Sequence, residues 1–67
     1  MTILLNDQPH AAADAATLAA LLAERGQADR KGIAVAVNDT VIPRAAWPAH
    51  TLRDNDRVLI IQATQGG

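Results

Sequence analysis

The chain has 67 residues, a formal net charge of −1 and no cysteine, so we expect one small domain without disulfides or thiolate metal sites. Its six basic residues are scattered along the sequence, which argues against a nucleic-acid-binding protein. No apolar run approaches the roughly 18 residues of a membrane helix, and the N-terminal residues do not resemble a signal peptide. These features predict a soluble, cytoplasmic protein.

The first thirteen residues are predicted to form a hairpin. Residues 1–5 are apolar and favour a strand, and the cluster Asn6-Asp7-Gln8-Pro9 is typical of a turn. Residues 8–13 return as a second, weaker strand, because alanine is a poor strand former.

Residues 17–25 are predicted to be a helix, because three leucines at helical spacing share one face: Leu18, Leu21 and Leu22. Thr17 is placed to cap its N-terminus, with Asp14 as the alternative. Gly26 follows the last periodic residue and suits a left-handed C-terminal end. Ala20 stands where a capping-box glutamate would be.

The second half of the chain is predicted to supply three more strands. Residues 33–38 alternate between valine or isoleucine and smaller residues, the pattern of a half-buried strand. A turn at residues 38–40 leads to a short strand at Val41-Ile42, which Pro43 ends. The last strand is expected from Arg57 to Ala63.

The segment between the last two strands, residues 44–52, looks irregular, with room for a helical turn. Trp47 and Leu52 are expected to fold it back onto the core. The cluster Arg53-Asp54-Asn55-Asp56 then reads as a turn.

The predicted order is strand, strand, helix, strand, short strand, strand, which describes an α+β fold of the β-grasp, or ubiquitin-like, type. We expect a mixed sheet of four to five strands with the helix on one face, a domain over residues 1–63 and a flexible tail over residues 64–67.

The residues beneath the helix would be Ile3, Leu5, Val35, Val37, Val58 and Ile60. The uncovered face would carry Leu4, Leu59 and Ile61, beside Ala34 and Ala36. Apolar residues there suggest a docking patch, although small proteins expose some apolar side chains in any case.

Few side chains are suited to chemistry. Serine and cysteine are both absent, so the usual nucleophiles are missing. His10 and His50 have no carboxylate at ligand spacing and favour surface or packing roles over metal binding. Asp54-Asn55-Asp56 lacks the downstream residues of a calcium loop. Without a phosphate-binding glycine loop, the chain should not bind ATP by itself.

The remaining reactive group is the α-carboxylate of Gly67, which is ionised at neutral pH. A carboxylate can attack the α-phosphate of ATP, and the resulting acyl adenylate accepts a nucleophile such as sulfide carried on a partner. Gly66 and Gly67 lack a Cβ, so they can thread a narrow channel. Residues 63–67 extend about 16 Å at ~3.3 Å per residue. The alternative is that the two glycines are only a frayed end.

The sequence resembles the ThiS family of sulfur carriers of thiamine biosynthesis, within the wider ThiS/MoaD group of ubiquitin-like proteins. The resemblance covers essentially the whole chain and rests on residues 3–7, 34–38, 41–44, 47, 52–56, 58–61 and 66–67. The Asn38, Val-Ile-Pro-Arg and Trp47 portion is typical of the thiamine branch, whereas the terminal diglycine is shared by the group. Asn55 replaces the usual glycine before the last strand, and asparagine also tolerates left-handed geometry.

The resemblance implies that a ubiquitin-activating-type adenylyltransferase adenylates Gly67 with ATP and that a cysteine desulfurase system supplies sulfur for a thiocarboxylate. Thiazole synthase would then receive the sulfur. It further implies that the tail residues Thr64, Gln65 and Gly66 bind inside the partners, with Leu4, Leu59 and Ile61 on the docking face. The chain itself would be a co-substrate with no bound cofactor or metal, not an enzyme.

Three other functions stay open at this point. The chain could carry sulfur for another pathway, such as molybdopterin synthesis, or it could be a ubiquitin-like modifier joined to lysine through Gly67. It could also be a plain binding module whose tail does nothing.

Overall fold

A computed structural model describes residues 1–27 and 31–62 of the chain. The first half contains strands β1 (Thr2–Leu5) and β2 (Gln8–Ala11) and helix α1 (Leu18–Glu24). The second half contains strands β3 (Ile33–Val37) and β4 (Thr40–Ile42), a 3₁₀ helix (Arg44–Ala49) and strand β5 (Arg57–Gln62). No helix in these two ranges is long and apolar enough to cross a membrane.

The five strands form one mixed sheet in the order β2-β1-β5-β3-β4. β1 and β5 run parallel, and the other neighbouring pairs are antiparallel. The last of the described strands, β5, is therefore the middle strand of the sheet. This order confirms the predicted β-grasp arrangement, with five strands at the upper end of the expected number.

Both hairpins close through two-residue asparagine–aspartate turns. Asn6 and Asp7 have φ of 49° and 66°, and Asn38 and Asp39 have φ of 50° and 70°. Two consecutive positive φ values define the type I′ turn, whose twist matches that of the strands it joins. Asparagine and aspartate adopt this left-handed geometry more readily than other non-glycine residues. The two turns therefore fix the registers of β1 with β2 and of β3 with β4.

Helix α1 begins and ends where its sequence indicates. The Thr17 side chain accepts a hydrogen bond from the Ala20 N–H at 3.1 Å, which satisfies one of the free N–H groups of the first turn. Asp14, the alternative cap, instead lies 3.3 Å from the N-terminal amine. Gly26 has φ of 71° and its N–H donates to the carbonyl of Ala23. Thr17 and Gly26 therefore bound the helix as predicted.

The core lies between α1 and one face of the sheet and is almost entirely aliphatic. Its buried members are Ile3, Leu5, Leu18, Leu21, Leu22, Val35, Val37, Trp47, Leu52 and Val58. Ile60, predicted beneath the helix, is half-buried and packs against this cluster. The Trp47 indole N–H donates to the carbonyl of Ile42 at 2.9 Å, so this ring is buried with its polar atom satisfied.

The segment predicted as irregular is more ordered than the sequence indicated. Residues Arg44–Ala49 form a 3₁₀ helix despite Pro48, and the Pro43 carbonyl accepts from the N–H of Ala46. A short 3₁₀ helix needs few internal N–H donors, so a proline near its end is tolerated. Trp47 and Leu52 are buried, which confirms that the segment folds back onto the core.

Shortening Leu22 to alanine should cost about 2–5 kcal/mol of unfolding free energy, because Leu22 is completely buried and its loss leaves a cavity. The same change at Leu59, which is 45% exposed, should cost less than about 1 kcal/mol. Urea unfolding followed by circular dichroism measures both variants. Equal losses at the two positions would contradict this account of the core.

Candidate functional site

Strand β5 is held along both of its edges. Five residue pairs join it to β3, from Ile33 opposite Gln62 to Val37 opposite Val58. Two pairs join it to β1, Leu4 opposite Arg57 and Leu5 opposite Val58. The strand that leads to the chain's last residues is therefore anchored in the middle of the sheet.

Two asparagine side chains extend this pairing beyond the regular ladders. Asn6 makes two hydrogen bonds to β5. Its main-chain N–H donates to the Val58 carbonyl at 2.9 Å, and its side-chain oxygen accepts from the Ile60 N–H at 2.8 Å. The Asn38 side-chain oxygen accepts the Arg57 N–H at 3.0 Å. A residue in a left-handed turn points its main-chain carbonyl away from the neighbouring strand, so this carbonyl cannot accept a hydrogen bond from that strand. In both turns the side-chain oxygen of the asparagine accepts the hydrogen bond instead.

The turn before β5 uses its acidic residues for structure. The Asp56 carboxylate accepts from the Arg53 N–H at 2.8 Å and from the Asn38 side-chain amide at 3.0 Å. Asp54 accepts the Thr2 N–H at 3.0 Å. Asn55 has φ of 69°, which confirms that asparagine adopts the left-handed position in place of glycine. These contacts support the interpretation of residues 53–56 as a turn.

The sheet face opposite α1 exposes apolar side chains. Leu59 and Ile61 are 45% and 50% exposed, and Leu4 beside them is half-buried. Val41 is 68% exposed and pairs with Ala36 on β3, so it lies on the same face. We call these four residues, Leu4, Val41, Leu59 and Ile61, the open-face patch.

Sequence reasoning missed Val41 as part of this face. The two-residue turn at Asn38-Asp39 places Val41 opposite Ala36, and the alternation of β3 had already assigned Ala36 to the uncovered side. Pairing the residues on either side of this turn, starting from Val37 opposite Thr40, places Val41 on the uncovered face.

One ion pair borders the patch. The Arg57 guanidinium lies 2.9 Å from the Asp39 carboxylate, and both side chains are well exposed. Exposed pairs of this kind add little to stability. This pair instead gives one edge of the apolar face a polar, charged border.

Among the described residues, His10 has one acidic neighbour. His10 Nε2 lies 3.8 Å from a carboxylate oxygen of Glu24, a neighbour that the sequence did not indicate. Across residues 1–27 and 31–62, no three histidine or acidic side chains are grouped so that they could hold a metal ion. His10 is predicted to have a surface or packing role, and its side chain on β2 is half-buried.

The predicted tail residues Thr64, Gln65, Gly66 and Gly67 lie outside the described residues, as does Ala63 at the predicted end of the last strand. The predicted boundary between a domain at residues 1–63 and a tail at residues 64–67 stays a prediction for the same reason. The described part of the site is therefore β5 up to Gln62, the two asparagine turns and the open-face patch.

Removing the Asn6 acceptor should loosen β5 locally. Asn6→Gly keeps the positive φ but loses the bond to the Ile60 N–H, so exchange of that amide hydrogen should accelerate about five- to tenfold, as expected for a bond of about 1 kcal/mol. Asn6→Asp keeps the acceptor and should stay near the wild-type rate. The Leu22 amide serves as the internal control, since an equal acceleration there would mean a global loss of stability instead.

Known proteins resemble the chain over its whole length. Residues 3–67 match the model of the ThiS family. The sulfur carrier protein ThiS of Escherichia coli (strain K12) is 37% identical over 67 residues, covering 100% of both chains. The crystal structure of the thiamine biosynthesis protein (ThiS) from Geobacter metallireducens superposes with a TM-score of 0.85 at 28% identity, again covering 100% of both chains. A solution NMR structure of a thiamine biosynthesis protein from Geobacter metallireducens gives a TM-score of 0.80 and covers 100% of this chain and 88% of the other. The family match and this shared architecture lead to one conclusion: the chain belongs to the ThiS family.

Proposed function

We propose that this protein carries sulfur for thiamine biosynthesis on the carboxyl group of Gly67. The observation that carries the proposal is the family match, which extends through residue 67. The fold supports it, because the strand that leads toward Gly67 is the middle strand of the sheet and is paired along both edges.

The chemistry needs only the carboxylate from this chain. A Gly67 carboxylate oxygen attacks the α-phosphate of ATP, and pyrophosphate leaves. The acyl adenylate then has an activated carbonyl carbon. A sulfide equivalent from the donor system attacks this carbon and AMP leaves, so that one oxygen of the carboxylate is replaced by sulfur.

The catalysts in this proposal are the partner enzymes. A ubiquitin-activating-type adenylyltransferase binds and consumes the ATP, a cysteine desulfurase system supplies the sulfur, and thiazole synthase receives it. The chain is a co-substrate with no bound cofactor or metal, acting in the cytoplasm where ATP is available. Serine and cysteine are absent from its sequence, in keeping with a protein that supplies no side-chain nucleophile.

The tail and the sheet have separate tasks. Thr64, Gln65 and Gly66 lie in the partner's channel and bring Gly67 to the reacting atoms, since small residues and glycine fit a narrow passage. Leu4, Leu59 and Ile61 form the docking face, which Val41 extends. An exposed apolar group on a small protein is a common protein-interaction surface.

Incubation with the activating enzyme, ATP and a sulfur source should raise the intact mass of the protein by the difference between one sulfur and one oxygen atom. Deleting Gly67 should abolish this change while circular dichroism stays that of the wild type, because the described strands and helices lie within residues 2–62. Thiazole formation at the wild-type rate by the deletion variant would refute the proposed function.

A charge placed in the open-face patch should weaken docking. Leu59→Arg should raise the KM of the activating enzyme for the carrier by about tenfold or more, since an apolar contact is lost and a charge is desolvated. The matched control is Ala23→Arg, which adds the same charge on the exposed side of α1. If both variants raise KM equally, the effect comes from net charge and the docking face lies elsewhere.

A further inference from the structure

The main-chain groups of β5 point alternately toward β3 and toward β1. The Asn38 N–H donates to the Arg57 carbonyl at 2.8 Å, so odd-numbered residues of β5 bond to the β3 side. The carbonyls of Asp56 and Val58 accept from β1 and its turn, each at 2.9 Å. Ile60 and Gln62 therefore direct their main-chain groups to the β1 side.

Among the described residues, no strand pairs with the β1 side of β5 beyond Asn6. The register of β1 with β5 ends at Leu5 opposite Val58, and the Asn6 side chain takes the Ile60 N–H. Within residues 1–27 and 31–62, no hydrogen bond satisfies the Ile60 carbonyl or the Gln62 N–H. These two groups form the next, unoccupied position of the parallel ladder.

The position of this open edge limits where a partner must bind. Five residues follow Gln62, and they span at most about 16–18 Å when fully extended. An enzyme that acts on Gly67 must therefore place its reacting atoms within that distance of Gln62. Where the enzyme's surface covers the edge, a main-chain group that loses its water without gaining a new partner lowers the affinity.

We propose that the activating enzyme pairs an extended segment of its own with β5 at the Ile60 carbonyl and the Gln62 N–H. This inference rests on the proposed function and adds the mode by which the carrier is held. A strand is the element whose groups match this donor and acceptor, since strand addition supplies main-chain bonds along one edge. Leu59 and Ile61, on the face beside the edge, would contact the alternate side chains of the added segment.

A second copy of the chain is the other possible occupant. The open stretch from Leu59 to Gln62 is only about 13 Å long at ~3.3 Å per residue, and so short an edge is a poor basis for a stable dimer. An enzyme gains further contacts from the tail and the open-face patch, so a short pairing is sufficient for it.

Gln62→Pro tests the pairing, because it removes the N–H that faces the open edge and places a ring there. No described bond of the fold uses that N–H, so the melting temperature should change little. The matched control Gln62→Ala keeps the N–H and loses only the side chain. We expect Gln62→Pro to raise the KM of the activating enzyme for the carrier about tenfold relative to Gln62→Ala.

A second form of the protein covers the case in which proline disturbs the strand. A semisynthetic chain with an ester in place of the amide at Gln62 loses the donor without added bulk, and it should show the same rise in KM. Hydrogen exchange of the Gln62 amide in the wild-type protein should slow when the enzyme is added.

Each outcome decides between the proposals. Equal KM values for Gln62→Pro, the ester form and Gln62→Ala would overturn the edge pairing while leaving the carrier function intact. A wild-type chain that the enzyme does not adenylate would overturn both. A dimer in sedimentation experiments that Gln62→Pro dissociates would assign the edge to a second copy and overturn the enzyme as its occupant.

Discussion

The side-chain oxygens of Asn6 and Asn38 accept the main-chain N–H groups of Ile60 and Arg57, one near each end of β5. Both asparagines lie at the first position of a left-handed turn. Each one closes a hairpin with its main chain and binds β5 with its side chain. Turn geometry and anchoring of β5 therefore depend on the same two side chains. The hairpins β1-β2 and β3-β4 are joined through this strand, since β5 lies between them.

The sheet divides its two faces between stability and contact. One face is covered by α1 and holds an aliphatic core with no buried charged or polar side chain among the described residues. The other face has no covering element in that part of the chain and exposes Leu59, Ile61 and Val41. A domain of this size buries only about 60% of its unfolded surface. One well-packed face must therefore supply most of the stability, which leaves the other face free to serve a partner.

The sequence allowed the order of elements, the helix cap at Thr17 and the burial of Trp47 and Leu52 to be predicted, because each depends on local pattern. The 3₁₀ helix at Arg44–Ala49 was harder to predict from the sequence, because Pro48 obscures any helical period and the contacts of Trp47 are tertiary. The His10–Glu24 approach likewise depends on how β2 packs beside α1. Val41 was overlooked because its face follows from pairing across a turn and not from its own short segment.

At the candidate site, the sequence indicated Leu4, Leu59 and Ile61 by period-two alternation, and the structure leaves Leu59 and Ile61 exposed with Leu4 half-buried between strands. The anchoring role of Asn6 could not be predicted from the sequence, because Asn6 and Ile60 are 54 residues apart and come into contact only in the folded sheet. Trp47, the sole aromatic residue, is buried on the helix side of the same sheet. The intrinsic fluorescence of Trp47 should therefore change when the domain unfolds and should change very little when a partner binds to the opposite face.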